Sequence, residues 1–414
     1  MIQKFTTPFV VAILLAWQPA TLVAQTNGLR LADFEQWAVQ NSPALKQANA
    51  MIRRSAGQAK QAGLLPNPSI GYAGEQIRGG AFQGGEEGAF IEQNFVLGGK
   101  LHLRREVFAQ QGKSDEIGVT EQHYRVLSDV GQNFYSTLAA QETVKLRKDL
   151  LSLASDTVET AHQLANVGQA DAPDVLQAEV EAEQAKSDYA IAQRALEHSF
   201  RALASAANKP DLPLAPLVGD LENLPMLEEN ELLARLMKDS PSMAKAHQDV
   251  ERARAELKSA RREVVPDLSL RAGLQQNNEP INEAGARVGV QGFVSAGVTL
   301  PIFNRNQGNI QSAQADVERA TNEIERVQLS LRQSAQPLLQ NYFADRDQAA
   351  RYKNEMIPRA EKAYQLYLAK YRVMGAAYPQ VIVSQRTLFQ LRVTYVHMLE
   401  SAWISAVALQ NFLQ

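Results

Sequence analysis

Between Arg287 and Leu300 the chain alternates. Val288, Val290, Val294, Ala296, Val298 and Leu300 share one parity, Gln291, Ser295 and Thr299 take the other, and only Phe293 breaks the rule. A period of two with one apolar face predicts a strand. The run meets the length of about 9 to 11 residues that a tilted strand needs to cross a bilayer. Ile70, Tyr72 and Gly74 alternate in the same way, as do Leu268, Leu270, Ala272 and Leu274, with Ser269 and Arg271 on the opposite face. The predicted strands fall at residues 66–78, 88–97, 266–275 and 287–301, joined in pairs by RGGAFQGGEEG and QQNNEPINEAGA, which read as hairpin loops. An apolar outside and a polar inside is the rule for a barrel with a wet lumen. So few strands cannot close one, and open edges are not tolerated in lipid, so further copies of the chain must supply the rest.

Elsewhere the period is helical. From Lys100 to Val167 there is no proline and only three glycines, and Leu146, Leu150, Leu153 and Leu164 keep coiled-coil spacing with Thr157 and Thr160 between them. At ~1.5 Å per residue such a helix is on the order of 100 Å long, too long for a compact domain, so it must project away from the membrane. The tip reads ANVGQADAPDV, with Gly168 suited to a helix C-cap and Asp171 and Pro173 to the next helix start.

The whole plan occurs twice at an offset near 200 residues. Ser42-Pro43 matches Ser240-Pro241, each an N-cap before a proline at the first helical position. Pro66 matches Pro266, Asn133-Phe134-Tyr135 matches Asn341-Tyr342-Phe343, and the second tip reads YRVMGAAYPQV. The expected division is a signal peptide at 1–24, a first repeat at 25–207 with its helical hairpin at 100–207, a proline-rich connector at 208–226, and a second repeat at 227–414 with its hairpin at 306–414. Pro337 and Pro358 should bend or interrupt the second long helix. Gly98, Gly99 and Pro301 are expected to kink the passage from strand to helix.

Composition narrows the function. A net charge of −3 excludes nucleic acid as a natural partner. Lys4, an apolar run from Phe9 to Trp17 and a small-residue end at Ala24 predict export with cleavage after Ala24; a membrane anchor is the other reading, and the run is short for one. Cysteine is absent, which excludes disulfides and thiolate metal sites. The histidines, His102, His123, His162, His198, His247 and His397, show no ligand spacing, so no metal site and no cofactor are expected. FVLGGK lacks the spacing of a phosphate loop, and no nucleophile with a base stands out, so no enzyme is expected. Charged runs such as EVEAEQAK read as wet faces of coiled-coil helices.

The order of helix, strand pair and long helical hairpin, twice over, with PNPSIGYAGEQ, FVLGGK, LPIFNRNQGNI and the tips VGQADAPDVLQAE and MGAAYPQVIVSQ, resembles the TolC-type outer membrane efflux family over nearly the whole mature chain. The wording of the strand ends is most similar to the heavy-metal-exporting branch. The resemblance implies a mainly α protein with a membrane β-barrel: as a homotrimer, a 12-stranded β-barrel in outer-membrane lipid on a long α-helical coiled-coil tunnel in the periplasm. It implies a passive exit duct for heavy-metal cations or drugs, docked to a periplasmic adaptor and an inner-membrane pump of the resistance, nodulation and division type. It also implies adaptor contacts at Val167, Gly168, Gln169, Val373, Met374, Gly375 and Ala376. At the gate the sequence departs from the family's aspartate ring, with Gln380 and Val383 in the matching places and Asp171 and Asp174 in the first copy. Those two aspartates either attract cations at the aperture or simply cap a helix start. A soluble periplasmic coiled-coil adaptor or scaffold is the other functional class; it would not need repeated strands of membrane length.

Overall fold

The computed structural model describes residues 28–77, 85–168, 170–281, 285–373 and 378–411. The expected signal peptide therefore lies outside the described residues, as do Gln169, Met374, Gly375 and Ala376.

Each half begins with two helices meeting at a serine and a proline. α1 (Leu31–Asn41) and α2 (Pro43–Ala62) are matched by α5 (Glu229–Asp239) and α6 (Pro241–Arg262). Ser42 Oγ accepts from the Leu45 N–H at 3.3 Å and Ser240 Oγ from the Met243 N–H at 3.1 Å, so both serines cap the helix that follows.

Each half then supplies two strands, β1 (Ser69–Glu75) with β2 (Glu86–Phe95) and β3 (Leu268–Pro280) with β4 (Arg287–Val298). They pair antiparallel in the order β1-β2-β3-β4, so the two halves meet at β2 and β3. The sheet differs from expectation at its ends: β1 is confined to 69–75, β2 starts two residues early, β3 runs on through a bulge to Pro280, and β4 stops at Val298. Pro301 thus lies beyond the strand, and it is Asn306 (φ 57°) that takes the left-handed step into the next helix, as Gly99 (φ 72°) does in the first half.

Register sorts the side chains onto two faces. Ile70, Ile91, Leu270, Leu274, Val294 and Val298 share one side with Tyr72, and Ile70 and Val294 are 82% and 81% exposed. Ser69, Glu92, Arg271, Gln275, Gln291 and Ser295 share the other. Phe293, the one exception in the alternation, lies on this polar side opposite Gly273. A Cβ on Gly273 would stand 2.7 Å from Phe293 Cε1, so the ring lies along the wall over a glycine.

Two helical hairpins complete the chain. α3 (Lys100–Asn166) runs unbroken for 67 residues and returns as α4 (Ala172–Ala206). α7 (Gln307–Arg351) is followed by a π-helical turn (Tyr352–Met356), α8 (Ile357–Arg372) and α9 (Tyr378–Asn411). Pro337 leaves α7 helical, held between buried Ala335 and Leu339, whereas Pro358 is preceded by the π turn. Proline has no N–H and crowds the carbonyl four residues back; one wider turn, closed by the Ile357 N–H on the Tyr352 carbonyl, removes that crowding.

Each half has its own buried cluster, and the first also takes Ala349, Val396 and Leu399 from the second half. Phe34, Phe134 and Phe200 fill one cluster and Leu236, Leu339 and Tyr342 another, so Phe134 and Tyr342, equivalent in the duplication, each centre a core. The connector straps both. Gln141 bonds the Leu217 N–H and carbonyl at 2.8 and 3.1 Å, Trp403 Nε1 donates to the Leu221 carbonyl at 2.8 Å, and Tyr342 donates to the Pro225 carbonyl.

Candidate functional site

The chain offers two places where its geometry bears on function: the sheet and the far ends of the hairpins. Among the described residues no helix is long and apolar enough to cross a membrane, and no group of side chains could hold a metal ion. The apolar side of the sheet, where Ile70, Tyr72, Val290 and Val294 are exposed, is a surface suited to lipid, and the flanking strands β1 and β4 each present an unpaired edge.

The passage from sheet to helix is locked across the halves. Gly98 and Gly99 turn left-handed at φ 70° and 72°, and a Cβ on Gly98 would meet the Val265 side chain at 2.9 Å. Lys100 follows, buried, with Nζ 2.8 Å from the Val265 carbonyl and 2.5 Å from Asp267 Oδ1. Arg104 grips Glu263 through two 3.0 Å bonds, and Arg262 Nε reaches the Gly98 carbonyl at 2.9 Å. Burial favours the neutral Asp267 carboxyl, but hydrogen bonds from Lys100 and the Leu97 N–H outweigh it and hold the pKa below the usual range.

At the other end, Val167 is exposed and Gly168 takes φ 72° to end α3. Asp171 stands at the N-cap of α4 with no side-chain capping bond, and Asp174 lies in its first turn. Val373 closes α8 and is exposed, while Gln380 and Val383 face an open apolar groove with Ala360, Tyr367 and Pro379 between α8 and α9. Asp174 lies near Tyr371, whose hydroxyl pKa is raised by burial and then by that carboxylate.

The sequence did not indicate how the two hairpins are tied. Arg386 of α9 forks onto Glu181 of α4, its Nε 3.0 Å from Oε2. Within the first hairpin Arg147 meets Asp188 at 2.9 Å, and within the second Arg392 meets Glu361 at 3.3 Å. Glu181 belongs to EVEAEQAK, so part of that run is a contact between halves rather than a solvated face.

The family model described as "Outer membrane efflux protein" matches residues 36–209 and again 232–413, most of the chain. The chain belongs to the outer membrane efflux protein family. This places it in the outer membrane, as a transport protein and not an enzyme. Among curated relatives, the cobalt-zinc-cadmium resistance protein CzcC of Cupriavidus metallidurans is 27% identical over 86% of this chain and 83% of its own length. The nickel-cobalt-cadmium resistance protein NccC of Alcaligenes xylosoxydans xylosoxydans is 23% identical over 75% and 71%. In fold, this efflux protein is similar to CusC (TM-score 0.76, 18% identity, 92% of this chain and 91% of that one). It is also similar to the VceC outer membrane protein of Vibrio cholerae (0.73, 17%, 92% and 95%).

Proposed function

We propose that this efflux protein is the trimeric outer membrane duct of a tripartite system, a passive exit for heavy-metal cations. The observation that carries the reading is the sheet: four strands with one lipid-suited face and two free edges, too few to close. Three copies make twelve strands, enough for a barrel with a water-filled lumen. A soluble scaffold would leave that apolar face in water, so no observation favours it.

In this reading energy and cargo choice belong to an inner-membrane pump of the resistance, nodulation and division type, joined through a periplasmic adaptor. The tips at Val167 to Gln169 and Val373 to Ala376 meet the adaptor. The same ends close the tunnel, with Asp171, Asp174, Gln380 and Val383 around the aperture. The names of CzcC and NccC support divalent cobalt, zinc, cadmium or nickel as cargo.

The test is assembly and export together. Purified protein should have the mass of three chains in detergent, and deletion should lower tolerance of cobalt, zinc or cadmium. A monomer released by osmotic shock would overturn the reading. At the gate, Asp171→Ala combined with Asp174→Ala should reduce cation preference in lipid bilayers. Unchanged preference leaves the two aspartates only a favourable charge at the start of α4.

A further inference from the structure

Along the regular ladder of the sheet, residues 69–75, 86–95, 268–277 and 289–298, Arg271 is the one cationic side chain. It lies on the polar side, which also carries Glu75, Glu86 and Glu92. β3 is flanked by β2 and β4 of the same chain, so the wall around Arg271 is complete before assembly.

The seat of this arginine is built. Register puts Gly71, Phe90, Gly273 and Phe293 in one row across the four strands. A Cβ on Gly71 would collide with the Phe90 ring, as one on Gly273 would with Phe293, so both rings lie sideways over glycines instead of projecting. The Arg271 guanidinium carbon rests 3.6 Å from the Phe90 centroid and 5.7 Å from that of Phe293, with Nε buried and without a hydrogen-bond partner. Glu92 is opposite Arg271 in register, yet the guanidinium leans towards Phe90, about 6 to 7 Å further along the strand. Attraction to a ring face fixes the cation without cancelling its charge.

We propose that Arg271 determines the ion selectivity of the barrel. Resting on the trimeric duct, three Arg271 guanidiniums form a positive ring flat against the lumen wall. The ring offsets part of the cation bias that Glu75, Glu86 and Glu92 give this section, so that small anions such as chloride accompany the exported cations. A twelve-stranded barrel has a backbone radius of about 12 Å from strand spacing and tilt. The Debye length is ~10 Å at 0.1 M salt and ~3 Å at 1 M, so the ring acts on the axis at low salt and fades at molar salt.

The experiment is the reversal potential of the purified full-length channel in a planar bilayer under a potassium chloride gradient. R271Q should raise the cation-to-anion permeability ratio by about two- to tenfold near 0.1 M. R271K should stay near the wild-type value, and the difference should vanish near 1 M. Because the chain has no cysteine, R271C gives a second route on the assembled channel. A cationic methanethiosulfonate reagent should restore the wild-type potential and a neutral one should not. Conducting R271Q or R271C channels with wild-type reversal potentials would overturn the assignment. Absence of any wild-type conductance would instead overturn the duct reading beneath it.

Discussion

Lys100 ends FVLGGK, where the sequence showed only that phosphate-loop spacing is lacking, and it is 3% exposed. Its ammonium joins the first half to the Val265 carbonyl and to Asp267, 165 and 167 positions away, a separation that no local pattern reveals. Lys100→Met keeps the stem and removes the donors, leaving the Val265 carbonyl unmet and Asp267 with the Leu97 N–H alone, at a cost of about 1–3 kcal/mol. The melting temperature of the purified protein in detergent should fall accordingly. The pH dependence follows from the lowered pKa of Asp267: a depressed folded-state value stabilises above the unfolded pKa of about 4 and is lost as pH drops through the folded one. Wild type should therefore lose stability in acid more steeply than Asp267→Asn, measured as melting temperature against pH from about 7 down to about 3.

At the scale of the element, spacing foretold the helices and proline foretold an interruption, while packing decided which proline. Pro337 sits among buried Ala335 and Leu339, whose burial offsets the ~3 kcal/mol that a proline costs inside a helix. Pro358 follows a segment with no buried residue, and there the helix widens into the π turn. The ties between hairpins were not legible, because Glu181 and Arg386 each fit an ordinary wet helix face. Arg386→Ala should free α9 from α4 and raise the open fraction of single channels in a planar bilayer, whereas Arg254→Ala, which removes only a pair within α6, should not. An isolated exposed pair is worth ~0–1 kcal/mol, so the effect should appear in the open fraction rather than in the melting temperature.

For the whole molecule the decisive feature is the pair of unpaired edges. Cysteines at lipid-side positions of the two edges, Ile70 or Tyr72 with Val294, Ala296 or Val298, should yield covalent dimers and trimers on oxidation. Pairs that mix the two faces, such as Ala73 with Val294, should not, because a strand cannot turn one residue without exposing its whole apolar set to the lumen. Crosslinked bands read on denaturing gels decide this, and equal yields from both designs would mean that the edges do not pair in this way.

The sequence by itself determined the two periods, the duplication, the caps at Ser42 and Ser240, and the apolar face of β1, β3 and β4. These depend on neighbours within a few residues and on which atoms avoid water. Only the tertiary structure decided which strand ends pair, that Asn306 rather than Pro301 makes the second turn into helix, and that Phe293 covers Gly273. It also decided that Lys100, Glu181 and Arg271 have fixed seats. Those outcomes depend on contacts between residues far apart in the chain, where several arrangements satisfy the same local pattern and close packing leaves room for one.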